Sequence, residues 1–184
     1  MKSVRSLPAR IVIVAMLLLA QALMVPFAAA AEPPAVPSKI AVPAGSALLF
    51  SRHARGVQVY ACVNSAWALH APRAVLFNPK SNRADGFHYG GIDRDRAAGP
   101  WWESIRDGSA VRGARVDGVP SPDPNSIPWL LLAVVEHSGA GEFSPVTHIQ
   151  RLNTSGGASP SGACKPGMMR SVPYTADYFF YAAP

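Results

Sequence analysis

The side chains in this sequence best suited to proton transfer or metal binding are five histidines: His53, His70, His88, His137 and His148. No two of them stand two, three or four residues apart, and neither H-E-x-x-H nor C-x-x-C occurs, so no local zinc motif is present. A metal site would have to be assembled from distant strands, for instance from His88 and His148 with a carboxylate. Histidines in sheets more often hold hydrogen bonds, and neither a metal nor another cofactor is expected. For nucleophilic catalysis there is no G-x-S-x-G elbow. Ser155-Gly156-Gly157 and Ser161-Gly162 read as turn sequences. Two carboxylates have aromatic company: Glu103 beside Trp101 and Trp102, and Asp177 between Tyr174 and Tyr178. Glycoside hydrolysis needs two carboxyls at a set separation, and tryptophan stacks well on sugar rings. The simpler expectation is that one tryptophan fills the core and Glu103 faces water.

The densest polar stretch is THIQRLNTSGGASPSGAC, Thr147 to Cys164. Read as a strand, it puts Val146, His148, Gln150, Leu152 and Thr154 on one face and Thr147, Ile149, Arg151 and Asn153 on the other. Neither face is cleanly apolar, so polar groups on both must find partners or water. One solution pairs Arg151 with Asp177 or Glu136 and lets Asn153 cap the loop; this structural arrangement is the expectation. The alternative is a strand that ends in a polar pocket. The candidate polar site drawn from all of this is His88, Tyr89, Trp102, Glu103, His148, Arg151 and Asn153.

The elements that must position these residues begin after an export signal. Lys2, Arg5 and Arg10 precede an apolar run, Ile11 to Val25, and small residues follow at Ala28, Ala30 and Ala31. These are the parts of a signal peptide spanning residues 1–31. An uncleaved membrane anchor is the alternative, since the run approaches the roughly 20 residues that span a bilayer. The segment holds three of the 17 basic residues and no acid; the remaining 153 residues carry 14 basic and 11 acidic side chains, or +3. That charge, with no basic stripe among aromatics, gives no reason to expect nucleic acid as a partner. The length suits one domain. Cys62 and Cys164 are the two cysteines of the chain, and export to an oxidising compartment favours a disulfide between them.

Residues 32–42 are proline-rich and predict an extended lead-in rather than a helix. From residue 43 to 184 the chain reads as short strands and turns. ALLFSRHA and VQVYACV flank Gly56; SAWALHAP and AVLFNP predict two strands, each closed by proline. Asp107-Gly108 predicts a tight two-residue hairpin turn. Four prolines in VPSPDPNSIP predict a loop, and the apolar run Trp129–Val135 predicts a buried central strand. In the last strand Val172, Tyr174, Ala176, Tyr178 and Phe180 share a face. No amphipathic helix of three turns is found. The fold class is therefore all-β, a single antiparallel sandwich or barrel with little helix.

The series GVQVYAC, HYGG, GPWWESIRDGSAVRG, IPWLLL, THIQRLNTSGGASPSGAC and VPYTADYFFY, in that order, resembles a family of exported bacterial and fungal proteins. That family is known as a domain of unknown function, number thirty-four fifty-five. The resemblance runs from about Val42 to Tyr181. It implies one exported, β-rich domain and brings no activity, cofactor or catalytic residue. Here the connection from Cys164 to the last strand, KPGMMRS, is shorter than the family's.

With no catalytic motif, the sequence leans towards a non-catalytic binding or structural protein of the cell envelope. Its expected partner is a saccharide or small apolar ligand, or an envelope protein. A hydrolase or metal enzyme assembled from distant strands and a protein–protein interaction module are the alternatives. The expected location is periplasmic or extracellular, with the membrane involved only through an uncleaved signal.

Overall fold

A computed structural model of the protein describes residues 33–184; the signal-peptide reading lies outside the described residues. Eight strands follow one another: β1 (Ala47–Val63), β2 (Ala66–Phe77), β3 (Ala84–Gly90), β4 (Pro100–Ser104), β5 (Ala110–Val119), β6 (Trp129–Ser138), β7 (His148–Gly156) and β8 (Met169–Ala182). Each pairs antiparallel with its sequence neighbour, and β8 returns to pair with β1, closing a barrel. Closure removes both sheet edges. The helical turns among the described residues are two short 3-10 turns, Ser38–Ile40 and Gly91–Arg94.

β1 runs straight through Gly56, because the close approach of β2 leaves no room there for a side chain. A Cβ at Gly56 would stand 2.1 Å from the Arg73 carbonyl oxygen, so glycine is what lets the two strands come this close. The two short strands expected across residues 65–79 are one strand, β2, which continues through Pro72. Pairing between β2 and β3 starts only at Arg73, so Pro72 lies where β1 alone flanks the strand, and a missing N–H is tolerated in such a place. The Asp107-Gly108 turn is present, with Gly108 at φ +71°, but the connection is longer than two residues. Asp107 organises it: its carboxylate accepts from the Ser109 hydroxyl and amide and from the Glu142 amide. Those donors hold the acid down at about 2.

Along β8, Tyr174, Ala176, Tyr178 and Phe180 alternate into the barrel core. One end of the barrel is sealed by the β6–β7 connection, whose Phe143 sits edge-on to Phe50 at 5.4 Å and to Phe180 at 5.1 Å. Beside this plug lies a buried charge cluster, with Arg52 Nε 2.8 Å from Asp85 Oδ1 and Arg52 Nη2 2.9 Å from Glu142 Oε2.

The mixed polarity of β7 follows from its having two buried faces. Ile149 faces the core, while Leu152 on the other face packs with Leu131 under Ile40 of the lead-in. The Gln150 amide donates to the Ile40 carbonyl at 2.7 Å and accepts from the Tyr181 hydroxyl at 2.7 Å. The polar groups on this side thus serve to strap the lead-in against the barrel wall.

Cys62 and Cys164 form a disulfide, with Cα atoms 5.7 Å apart and a sequence separation of 102. It ties the β7–β8 connection to the end of β1. Loss of the bridge in a Cys62→Ser/Cys164→Ser variant is expected to cost about 2–4 kcal/mol, since so long a loop gains much freedom in the unfolded chain. Urea denaturation of the two proteins measures this directly; equal midpoints would show that the bridge contributes nothing to folding.

Candidate functional site

The end opposite the Phe143 plug opens into a cavity of about 610 Å³. Its walls come from strands that end or begin at that side of the barrel. β1 supplies Gln58 and Tyr60, β3 supplies His88, β4 Trp102, β6 Leu130 and Leu132, β7 Arg151 and β8 Tyr178. Leu69, Ile92, Arg112 and Arg115 stand around the rim. None of the lining residues is Asp, Glu, Ser, Thr or Cys.

An aromatic trio forms one wall. The His88 ring stacks on Trp102 at 4.3 Å with 15° between planes, and Tyr178 meets His88 at 5.0 Å and Trp102 edge-on at 5.3 Å. All three are buried. His88 Nδ1 lies 2.8 Å from the Trp101 carbonyl oxygen. A carbonyl only accepts, so Nδ1 carries the proton and Nε2 keeps its lone pair. Burial drives the histidine down to about 3, against the help of that carbonyl and with a further push from Arg151. His88 is therefore neutral at pH 7.

Arg151 is a half-buried cation of the cavity. Its Nε and Nη2 donate to the Pro128 carbonyl at 3.1 and 2.9 Å. The carboxylates expected to neutralise it are engaged elsewhere. Glu136 pairs with Arg112 at 2.8 Å, and Asp177 accepts from His53 at 2.8 Å and from Asn153 at 2.9 Å. The reason is facing: Arg151 follows Ile149 towards the barrel interior, whereas Asp177 lies between the core residues Ala176 and Tyr178 and so points outward. Among the described residues Arg151 has no ion-pair partner. Its charge is felt across the site, lowering the proton affinity of Tyr60, Tyr174 and Tyr178 against the larger upward effect of burial on Tyr60 and Tyr178 and of burial on Tyr174.

Several buried polar atoms around this cavity have no hydrogen-bond partner: Gln58 Nε2, Trp102 Nε1, and the hydroxyls of Tyr174 and Tyr178. Arg151 acts on the ionisation of both tyrosines and Gln58 on that of Tyr174, yet Gln58 Nε2 and the two hydroxyls do not meet a partner in hydrogen-bonding geometry. Tyr60 is satisfied, donating to the Gly157 carbonyl at 2.7 Å. Gly157 has φ +79°, and a Cβ on it would be 2.8 Å from the Tyr174 Cβ. The glycine pair at the end of β7 is thus needed for close approach to the wall.

Of the seven residues drawn from sequence, the structure brings His88, Trp102 and Arg151 to this cavity. Tyr89 and Glu103 lie together on the outer wall, the Tyr89 hydroxyl donating to the Glu103 carboxylate; burial and that carboxylate push the phenol up to about 12. Arg94 and Arg96 flank the same carboxylate. His148 begins β7 at the sealed end, beside Thr147. Asn153, at φ +49°, sits in the β7 bulge and holds Asp177. His88, His148, Arg151 and Glu103 therefore form no common catalytic cluster. Among the described residues no group of three or more His, Cys, Asp or Glu could hold a metal. Gln58, Tyr60 and Tyr178 were not among the seven. Gln58, a lone amide amid the β-branched residues of VQVYACV, was the signal available for the first of them.

Fold and site together define a small up-and-down barrel, plugged at one end and hollow at the other. Within that class the chain belongs to the family described as a protein of unknown function (DUF3455), which matches residues 43–182. No curated protein and no solved structure matches the chain.

Proposed function

We propose that this protein is an exported, non-catalytic binding protein that holds one small molecule with a flat apolar body in the open mouth of the barrel. The observation that carries the reading is the 610 Å³ cavity with its wall of His88, Trp102 and Tyr178 and its buried, unpartnered polar atoms. Ligand pockets have this size and this mixture of apolar wall and few polar groups. Eight-stranded barrels have an interior just wide enough for one small ligand. A non-catalytic role is supported by the lining, which offers no carboxylate and no hydroxyl or thiol nucleophile apart from tyrosine. Export is supported by the leader-like first 31 residues and by the disulfide.

The test is a thermal melt of the protein against sugars, fatty acids and planar aromatic compounds. A ligand at a hundredfold excess over its dissociation constant adds about 2.7 kcal/mol, which for a domain of this size raises the midpoint by about 5–10 °C. Planar aromatics are expected to do so. A flat panel would overturn the reading.

A further inference from the structure

The polar inventory of the cavity is lopsided towards donors. Arg151 contributes a guanidinium, whose bonds to the Pro128 carbonyl leave further N–H groups free. The Gln58 amide nitrogen and the Trp102 indole N–H are unpartnered donors on buried side chains. The Tyr178 hydroxyl, equally buried and unpartnered, can donate as well. Against these stand the His88 Nε2 lone pair and the Gln58 amide oxygen, and no acidic side chain lines the cavity.

The charge is as one-sided as the hydrogen bonding. Arg112 on the rim is neutralised by Glu136, and Arg115 is exposed to solvent. Arg151, paired in register with Leu130 of β6 and Tyr178 of β8, has no carboxylate among the described residues. A cation held partly out of water in a cavity lined by further unpartnered donors is a receptor for an oxyanion, and guanidinium matches a carboxylate in both geometry and charge.

We infer that the ligand of this cavity carries a carboxylate: its planar apolar body lies along His88 and Trp102, and its anionic head pairs with Arg151 and takes hydrogen bonds from Gln58 and Tyr178. This rests on the binding reading above and goes beyond it by fixing the ligand's charge. It also argues against a neutral saccharide, whose hydroxyls would leave the cation unpaired.

Isothermal titration of the full protein with 2-naphthoate and with 2-naphthamide separates the two ideas, because the probes share a ring system and differ in charge. The wild type is expected to bind the acid at least about tenfold more tightly than the amide. Arg151→Met, which keeps the apolar stem, should erase that preference. Arg151→Lys should retain part of the preference, since it keeps the charge and loses the fork. Equal affinity of the wild type for both probes, or tighter binding of the amide, would overturn the carboxylate inference and leave the binding reading standing. No binding of either probe would overturn both. The comparison within the wild type needs no variant, so misfolding of Arg151→Met would not blunt it.

Discussion

Acidification should unfold this barrel through His88. In the folded protein burial holds the imidazole at about 3, against an ordinary value of 6.5. The unfolded chain therefore binds a proton that the folded chain refuses. The stability contributed by the neutral buried ring is fully present above about pH 6.5 and is lost progressively as the pH falls from there towards 3. A shift from 6.5 to about 3 corresponds to at most roughly 4–5 kcal/mol over that window, a large part of the stability of a single domain. His88→Phe can keep the stack on Trp102 but removes the titrating group and the bond to the Trp101 carbonyl. It is expected to be less stable than wild type at pH 7 and to show a much shallower decline between pH 6.5 and 4. Urea midpoints measured across that range check this; parallel pH profiles would show that His88 is not the acid-sensitive group.

The second large effect is expected at the sealed end. Arg52 is almost wholly buried and bridges Asp85 and Glu142. Arg52→Met preserves much of the volume but leaves the Asp85 carboxylate inside the protein without its cation. Breaking a buried pair in this way costs about 3–5 kcal/mol, most of it the penalty of the stranded charge. Removing that charge as well, in Arg52→Met/Asp85→Leu, should recover a substantial part of the loss, because buried ion pairs can be replaced by packed apolar groups at little cost. A double variant no more stable than Arg52→Met would mean that packing around Phe143 and Phe50, rather than charge, governs this end.

How much of this was legible beforehand depends on whether the signal was local. Alternation in β8 and the apolar run of β6 are local patterns, and they placed those strands correctly. The pairing of Cys62 with Cys164 followed from there being two cysteines and from the export expected of the leader-like first 31 residues. Closure into a barrel was not legible, because the β1–β8 pairing joins residues more than a hundred positions apart and leaves no mark on either strand alone. Pro72 was read as a strand end because its effect depends on whether a second neighbour lies beside it. The alternation of VQVYACV was clear, but not that Gln58 and Tyr60 would face the cavity while Val59 is buried on the other side. The site was half legible for the same reason. His88, Trp102 and Arg151 stood out by residue type, yet their company is set by strand register. The expectation that Arg151 would find Asp177 or Glu136 failed on which side of the wall those acids face. Arg151 is left without a carboxylate at the cavity, while Gln150, Asn153 and Thr154 of the same stretch make structural hydrogen bonds.

If a small molecule occupies the open mouth, a side chain that fills the mouth must displace it. Leu130 lines the cavity beside Arg151 without being fully buried, so Leu130→Trp should occupy ligand space while leaving the barrel intact. Wild type and Leu130→Trp would be melted in parallel against the same planar aromatic acids. The account predicts a rise of several degrees in the wild-type midpoint and little or none in the variant, whose ligand-free melt stays close to that of wild type. An undiminished rise in the variant, or no rise in either protein, would contradict it.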